Sequence, residues 1–220
     1  MDTVAVLPVK TFSEAKRRLH TGLSPGERRA LAQAMFTDVL IALRRSSAVD
    51  SVLVVSADHS AQQIAGGYGA QILSDEEHGH NVAARHGVEA ALRDGARRVV
   101  LVPGDCPALS PAELDGLLAR DAPERSALIV PDRHGTGTNA LVLTPPDVMA
   151  PSFGPGSRDR HLENAGKAGA HGEIVEVPTL ALDVDTAEDL EELEHELGRT
   201  WGGAANTRGM LMQLLRSRAR

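Results

Sequence analysis

The sequence of 220 residues has few aromatic residues, one cysteine and no long apolar run. Phe, Trp and Tyr make up 2% of the chain, which argues against binding of single-stranded nucleic acid by base stacking. The lone Cys106 excludes an internal disulfide and predicts a reducing, cytoplasmic compartment. No segment approaches the roughly 20 apolar residues that span a bilayer, and the chain starts on a strand-like run. We therefore expect no membrane anchor and no signal peptide.

Positive charge is also in deficit. The chain has 23 Lys and Arg against 30 Asp and Glu, a net charge of −7. This balance disfavours nucleic acid and anionic membranes as partners. Apolar residues at 42% and charged residues at 24% are typical of one sizeable globular domain. Any phosphate binding must therefore be local.

Apolar, strand-like runs alternate with helical segments along most of the chain. The predicted strands are 3–9, 51–57, 70–75, 97–103, 126–132, 139–146, 172–178 and 180–185. The predicted helices are 24–46, 59–67, 81–95, 110–121, 157–169 and 186–198, and Val82, Val88, Ala91 and Leu92 are expected to face inward from the third of them. This alternation predicts an α/β fold of three layers, with a mostly parallel sheet covered by helices on both faces.

The alternation ends near residue 198, so we place the main domain at 1–198. Residues 199–220 are interpreted as a C-terminal tail that forms a short basic helix or stays partly disordered. A partner subunit is one surface on which this tail could pack.

The loop after the first strand, residues 8–24, is rich in positive charge. Lys10, Lys16, Arg17 and Arg18 lie here in an otherwise acidic protein. Because ligands of parallel sheets bind at the carboxyl ends of the strands, the loop suits a polyphosphate. The alternative is a solvated basic surface. The chain has neither a Walker sequence nor G-x-G-x-x-G, which excludes a P-loop enzyme and a standard dinucleotide binder.

Carboxylates follow two other predicted strands. Asp105 comes directly after "VVLVPG", and Asp183 and Asp185 end "LALDVD". Two carboxylates at neighbouring strand ends suit Mg²⁺, whose coordination is often completed by substrate phosphate oxygens. Alternatively, Asp105 closes a turn and Asp185 favours the dipole of the next helix. Cys106 has no base partner nearby and is interpreted as a small buried residue.

Two glycine-bearing loops are candidate anion sites. In "DRHGTGTNAL", residues 132–141, the glycines permit close backbone approach and Thr138 adds a hydroxyl donor, as do Thr136 and the amide of Asn139. In "SFGPGSRDRH", residues 152–161, Gly154 and Ser157 lead into a helix amino terminus that favours anions. A bound anion would explain the arginines of that first turn, Arg158 and Arg160. The alternative in both loops is an ordinary turn.

The histidines at 78, 80 and 86 do not have a zinc spacing. We interpret His78, His80 and His86 as solvated. Asn81, which follows them, is either a helix cap or a nucleotide contact.

Five segments, in order, resemble the small guanylyltransferases of coenzyme F420 biosynthesis: "LPVKTFSEAKRRL", "PGDCPAL", "DRHGTGTNAL", "FGPGSRDRH" and "LDVDTAEDL". The resemblance covers residues 3–198. It implies a Rossmann-like fold similar to the nucleotide-diphospho-sugar transferases and the molybdenum-cofactor guanylyltransferases. One departure is His80, where many relatives have Leu, and it affects the base pocket.

The resemblance implies that GTP is joined to a three-carbon phosphorylated acid with release of pyrophosphate. The acid is phosphoenolpyruvate in the bacterial branch, which these motifs resemble more, and 2-phospho-L-lactate in the archaeal branch. Thr138, Gly154 and Ser157 then fall where the family holds phosphoenolpyruvate. Asp105 falls where it holds Mg²⁺, with Asp183 or Asp185 as the second ligand.

The resemblance also implies the catalytic and nucleotide-binding residues. Lys10, Lys16 and Arg18 would act with Asp105 in catalysis, and the expected nucleotide contacts are Lys10, Lys16, Asn81, Pro103 and Gly104. Open alternatives are 3-phosphoglycerate as acceptor, a cytidylyl- or sugar-nucleotidyltransferase, and a non-catalytic nucleotide-binding regulator. A homodimer and transfer of the product to a downstream deazaflavin-transferring enzyme are also left open.

Overall fold

The computed structural model describes residues 2–13, 15–20, 22–75, 79–200 and 202–218. The side chain of Arg17 and the whole of His78 lie outside this description. The strands are β1 (Thr3–Pro8), β2 (Ser51–Val55), β3 (Gln71–Leu73), β4 (Arg98–Leu101), β5 (Ser126–Pro131), β6 (Thr138–Thr144) and β7 (His171–Ile174). The helices are α1 (Pro25–Arg45), α2 (His59–Gly67), α3 (His80–Arg93), α4 (Pro111–Leu118), α5 (Ser157–Lys167), α6 (Pro178–Ala181), α7 (Ala187–Arg199) and α8 (Ala205–Arg218), with a 3₁₀ turn at Arg17–Leu19.

The strands form one seven-stranded sheet in the order β3-β2-β1-β4-β6-β5-β7. All neighbouring pairs are parallel except those of β6, which runs antiparallel to both β4 and β5. The α/β fold with a mostly parallel sheet is therefore confirmed. The carboxyl ends of β1, β2, β3 and β4 meet at one edge, which is where the loops of interest emerge.

Side chains alternate between the two faces of the sheet, as the pleat of a strand requires. In β1, Ala5 and Leu7 pack in a core with α1, α2 and α4, whereas Val4 and Val6 pack in a second core with α3 and α5. Helix α3 lies very close to the sheet. A Cβ at Gly87 would come within 2.3 Å of the Cγ1 of Val6, so only glycine fits there.

Helix starts follow the capping signals of the sequence. The Ser24 side chain accepts from the Glu27 N–H while the Glu27 carboxylate accepts from Ser24, the reciprocal pair of a capping box. The inward face of α3 is confirmed at Val88 and Ala91, which are buried, but not at Leu92, which is 38% exposed. Small residues such as Ala84 complete the face that packs on the sheet.

The predicted strand at 180–185 is wrong. Residues 178–181 form α6, and no strand or helix is assigned to 182–185. Side chains far along the chain hold this segment: the Glu113 carboxylate accepts from the N–H and hydroxyl of Thr179, at 3.1 and 2.8 Å. The amide of Asn139 donates to the carbonyls of Leu180 and Ala181. These bonds occupy groups that a strand would pair with a neighbour.

The tail beyond residue 198 contains α8, which packs against α1 of the same chain. Leu211 and Leu214 are buried with Leu31 and Met35 of α1. The domain boundary at residue 198 itself stays a prediction. Within the described ranges, every helix is too short or too polar to cross a membrane.

Candidate active site

Two adjoining cavities open at the carboxyl ends of β1 and β4. The first, which we name the lysine pocket, has a volume of about 360 Å³. The second, the threonine pocket, has a volume of about 280 Å³ and reaches the start of β6. Both are lined by the same five residues where they meet: Pro8, His80, Pro103, Asp105 and Asp185.

The lysine pocket collects several residues that the sequence assigned to nucleotide binding. Lys10, Lys16, Arg18, Pro103 and Gly104 all line it. At Gly104, a Cβ would lie 3.3 Å from the Phe36 ring, which is tighter than usual packing. The pocket is therefore basic on the side of the first loop and closed by backbone on the other.

Lys16 lies between two carboxylates. Its Nζ is 2.5 Å from Oδ2 of Asp105 and 3.1 Å from Oδ1 of Asp185, and its side chain is 6% exposed. Burial lowers the pKa of Lys16, but the charges of Asp105 and Asp185 outweigh it and raise that pKa above its usual value. The φ of Lys16 is 57°, a left-handed conformation that costs an L residue energy.

Asp183 lines the threonine pocket together with Asp105 and Asp185. The Val184 N–H donates to the Asp105 carbonyl at 3.2 Å, which brings the two segments side by side. Burial, and next the charge of Asp105, raise the pKa of Asp183 to about 6, although its Oδ1 accepts a hydrogen bond from Asn139 at 3.1 Å. A cation at this point would relieve the buried negative charge.

These oxygen donors fit Mg²⁺, a hard cation that is held by one or two carboxylates together with substrate oxygens. In the part of the chain that the structure describes, no three acidic, histidine or cysteine side chains converge as a complete metal site. A magnesium ion here would therefore depend on oxygens from the substrates.

The threonine pocket contains a hydroxyl whose orientation is set by a buried histidine. The N–H of Ser152 donates to Nε2 of His161 at 2.8 Å, and Nδ1 of His161 lies 3.0 Å from Oγ1 of Thr138. A backbone N–H can only donate, so Nε2 is the acceptor and Nδ1 of the neutral ring carries the proton. Thr138 then accepts from His161, and its own hydroxyl proton is left for a ligand. Burial, helped by the charge of Arg160, lowers the pKa of His161 to about 4, so the ring is neutral near pH 7.

Gly154 also lines the threonine pocket, whereas the buried Ser157 lines neither pocket and is hydrogen-bonded to Gly154. The Ser157 N–H donates to the Gly154 carbonyl at 3.0 Å, and Gly154 has a φ of +116°, which favours glycine. Among the described residues, no group hydrogen-bonds to the buried Oγ of Ser157. A ligand that reached this hydroxyl would satisfy it.

The arginines of α5 do not need a bound anion to explain them. The Arg160 guanidinium donates to the carbonyls of Ser152 and Pro155, and Arg158 pairs with Asp159. They thus shape the loop before α5. The other glycine loop, residues 132–141, also has internal hydrogen bonds: the Asp132 carboxylate accepts from the N–H groups of residues 136 and 137.

The Asn81 side chain is hydrogen-bonded to the loop before α5. Its amide donates to the Phe153 carbonyl at 3.0 Å and accepts from the Phe153 N–H at 2.6 Å, which holds the loop that carries Gly154. A nucleotide contact by Asn81 stays a prediction. The Cys106 thiol is buried, and burial followed by the charge of Asp105 raises its pKa, as suits an inert residue.

Nothing in the sequence indicates a role for His161, and the histidine spacing predicts that His80 is solvated. The family resemblance, by contrast, places His80 where it affects the base pocket. His80 lines both pockets, and burial together with the charge of Lys10 lowers its pKa. The position of His80 directly after a loop that follows a strand also indicates a ligand site, but one histidine at such a position is weak evidence.

A sheet of this order, with a basic first loop facing carboxylates across a cleft, has the architecture of the nucleotidyltransferases. In fold the chain is similar to a crystal structure assigned to the nucleotide-diphospho-sugar transferases, from Desulfovibrio desulfuricans G20, with a TM-score of 0.77 and 18% identity over 99% of this chain and 98% of that one. A family model described as "Guanylyl transferase CofC like" matches residues 3–200, and the chain belongs to that family.

Two relatives carry names that differ in the acceptor. The chain is 54% identical to a phosphoenolpyruvate guanylyltransferase of Conexibacter woesei, over 99% of this chain and 98% of the relative. It is 38% identical to a 2-phospho-L-lactate guanylyltransferase of Methanothermobacter thermautotrophicus, over 88% of this chain and 84% of the relative.

Proposed function

We propose that the chain transfers the guanylyl group of GTP to phosphoenolpyruvate, which gives enolpyruvoyl-2-diphospho-5′-guanosine and pyrophosphate, as a step of coenzyme F420 biosynthesis. The observation that carries the proposal is the position of Lys16, Asp105 and Asp185 at the junction of the lysine and threonine pockets. The family and the 54% identical phosphoenolpyruvate guanylyltransferase support this choice of substrates.

The reaction joins two anions. A phosphate oxygen of the acceptor attacks the α-phosphorus of GTP, the bond to the β-phosphate breaks, and pyrophosphate leaves with its electron pair. The acceptor phosphate is already ionised, so no general base is required. Catalysis then consists mainly of positioning the two substrates and neutralising their charge.

The residues of the chain divide this work between the pockets. Lys10, Lys16 and Arg18 hold the triphosphate and stabilise the departing pyrophosphate. Thr138, with the hydroxyl of Ser157 and the backbone at Gly154, holds the carboxylate and phosphate of the acceptor.

Asp105, with Asp183 or Asp185, would hold Mg²⁺. The ion would neutralise charge on the reacting phosphate oxygens when it is bound. That the enzyme works in the cytoplasm, as a homodimer, and passes its product to a deazaflavin-transferring enzyme stays a prediction.

The test is mass spectrometry of the products formed from GTP with each of three acids. Phosphoenolpyruvate, 2-phospho-L-lactate and 3-phosphoglycerate are offered separately, with a deazaflavin-transferring enzyme present in case the product is unstable. The proposal expects the fastest pyrophosphate release and the guanylylated product with phosphoenolpyruvate. Faster turnover of 2-phospho-L-lactate would assign the other acceptor. Tight nucleotide binding without pyrophosphate release would support a regulator instead.

A further inference from the structure

A third, smaller cavity opens beside the lysine pocket and is not used by the chemistry above. It has a volume of about 160 Å³ and lies between the end of β1, the segment after β3 and the start of α3. It has four residues in common with the lysine pocket: Pro8, Val9, Lys10 and His80. We name it the aspartate pocket, because Asp75 lines it.

The Asp75 carboxylate is buried, and one of its two oxygens has no hydrogen-bond donor among the described residues. Its side chain is 8% exposed, and its Oδ1 has no hydrogen-bond partner among the described residues. The nearest side-chain nitrogen that could pair with it is Nδ1 of His86, 4.0 Å from Oδ1, which is too far for a hydrogen bond. The backbone of this segment is fixed, since the Asp75 N–H donates to the Ser56 carbonyl and the Ser56 N–H to that of Leu73.

A buried, unpaired acceptor is costly to the folded protein, and each such group in a native structure calls for an explanation, of which a bound ligand is one. An ionised carboxylate can only accept, so it repels phosphate and requires donors. The aspartate pocket also has apolar walls at Val9 and Ala83, which suit the faces of a planar ring. The occupant that matches is a flat group with two neighbouring N–H donors on one edge.

Among the common nucleobases only guanine has that edge. Its N1–H and its 2-amino group are adjacent donors, and one carboxylate can accept both. Adenine and cytosine have a ring acceptor beside their amino group, and uracil has one N–H between two carbonyls. The three other bases would each place at least one lone pair against the carboxylate.

We propose that the aspartate pocket receives the base of the nucleotide and that Asp75 selects guanine by accepting hydrogen bonds from N1–H and the 2-amino group. The inference rests on the proposed function for the presence of a nucleoside triphosphate. It adds the residue that decides which nucleotide is used.

The first test needs no variant and compares GTP with ITP, which lacks the 2-amino group. If Asp75 accepts from the 2-amino group, kcat/KM for ITP should be about tenfold or more below that for GTP, because one hydrogen bond to a charged group is lost. Equal kcat/KM values for GTP and ITP would overturn the proposal.

The second test uses Asp75→Asn with GTP and XTP. Xanthine has a carbonyl at position 2, so an asparagine can accept from N1–H and donate to that oxygen. We expect the ratio of kcat/KM for GTP to that for XTP to fall by roughly 100-fold or more relative to the unmodified chain, since one bond is gained and one is lost. His86→Gln is the matched control, because it alters the neighbouring charge and leaves the carboxylate; its ratio should not change.

Binding separates this proposal from the reaction. GDP and XDP are titrated into both forms by calorimetry, and thermal unfolding checks that the variant is folded. If the binding preference of Asp75→Asn changes from GDP towards XDP, the base pocket is supported, even if no acceptor is turned over. Absence of turnover would count only against the proposed function. A folded Asp75→Asn that keeps the original preference in binding and turnover would refute the role of Asp75.

Discussion

Nζ of Lys16 lies 2.5 Å from Oδ2 of Asp105, although the two residues are 89 positions apart in the chain. This pair stands at the junction of the lysine and threonine pockets, where the two substrates would meet. The side chain that would bind the triphosphate is thus held, before any substrate arrives, by a carboxylate that would bind the metal. Substitutions of Lys16 and of Asp105 can therefore test the two proposed roles, triphosphate binding and metal binding, one at a time.

Asp105→Asn should abolish metal-dependent turnover. The substitution removes the charge of the proposed magnesium ligand and weakens one partner of Lys16, while it keeps the shape of the side chain. We expect kcat to fall by roughly 100-fold or more in a pyrophosphate-release assay with saturating GTP and acceptor. Asp94→Asn, at the end of α3, is the control and should leave kcat unchanged. Turnover at the original rate in Asp105→Asn would rule out the metal role.

Lys16→Met should change catalysis and metal binding in opposite directions. The loss of a buried cation weakens triphosphate binding, so kcat/KM for GTP should drop by about 100-fold. The same loss frees oxygens of Asp105 and Asp185 that the ammonium group occupies in the free protein. The affinity of the nucleotide-free protein for Mn²⁺, measured by electron paramagnetic resonance, should therefore rise. An unchanged or lower Mn²⁺ affinity would show that Lys16 and the metal do not compete.

Much of the fold could be predicted because its signals are local. Ser24 and Glu27 are three residues apart and form the capping box that their spacing predicts. The apolar run of β1 is buried on both faces, as expected of a central parallel strand. The rule that ligands bind at strand ends also points to the loops that line the lysine and threonine pockets.

The errors have non-local causes. The segment 180–185 has the composition of a strand. However, the amide of Asn139 donates to the carbonyl of Leu180, and just before the segment the Glu113 carboxylate accepts from the N–H of Thr179. Leu92 is exposed because its neighbours Gly87, Val88 and Ala91 form the buried face of α3. Pairings such as Lys16 with Asp105 depend on how strands are ordered, which spacing along one sequence does not show.

His161 should act on acceptor binding through Thr138. His161→Phe removes the donor to Oγ1 of Thr138, so that hydroxyl can turn away from the pocket. We expect KM for the acceptor to rise by about tenfold while KM for GTP stays within about twofold. His161→Asn can keep a donor near the position of Nδ1 and should restore part of the loss. Equal rises in both KM values would indicate general damage to the site.

The neutral state of His161 also predicts a pH dependence of stability. Its folded pKa of about 4 lies below the ordinary value of 6.5, because burial and the charge of Arg160 disfavour the charged ring. The unfolded chain binds a proton below about pH 6.5, whereas the folded chain binds it only near pH 4. The stabilisation is fully present above pH 6.5 and is lost as pH falls towards 4, by up to about 3 kcal/mol.

Urea unfolding of the original chain and of His161→Asn between pH 4 and 7 measures this effect. The free energy of unfolding of the original chain should fall more steeply with acid than that of the variant. Parallel curves would mean that His161 does not contribute to the acid sensitivity.

Asp38 should be the main polar link between α1 and α8. It is 4% exposed, and its carboxylate accepts from the N–H and amide of Asn206 and from the N–H and hydroxyl of Thr207. Asp38→Ala leaves these donors unpaired at the start of α8. We expect the free energy of unfolding in urea to fall by about 2–4 kcal/mol, which is large for one residue.

Asn206→Ala is the matched comparison for Asp38→Ala. It removes one side-chain donor and keeps the carboxylate bonded to Thr207, so we expect a loss of only about 1 kcal/mol. Because Asp38 lines neither pocket and bonds to the start of α8, kcat per folded molecule should not change in either variant. A loss for Asp38→Ala no larger than that for Asn206→Ala would show that α8 is held by its apolar contacts with Leu31 and Met35, and that the carboxylate adds little.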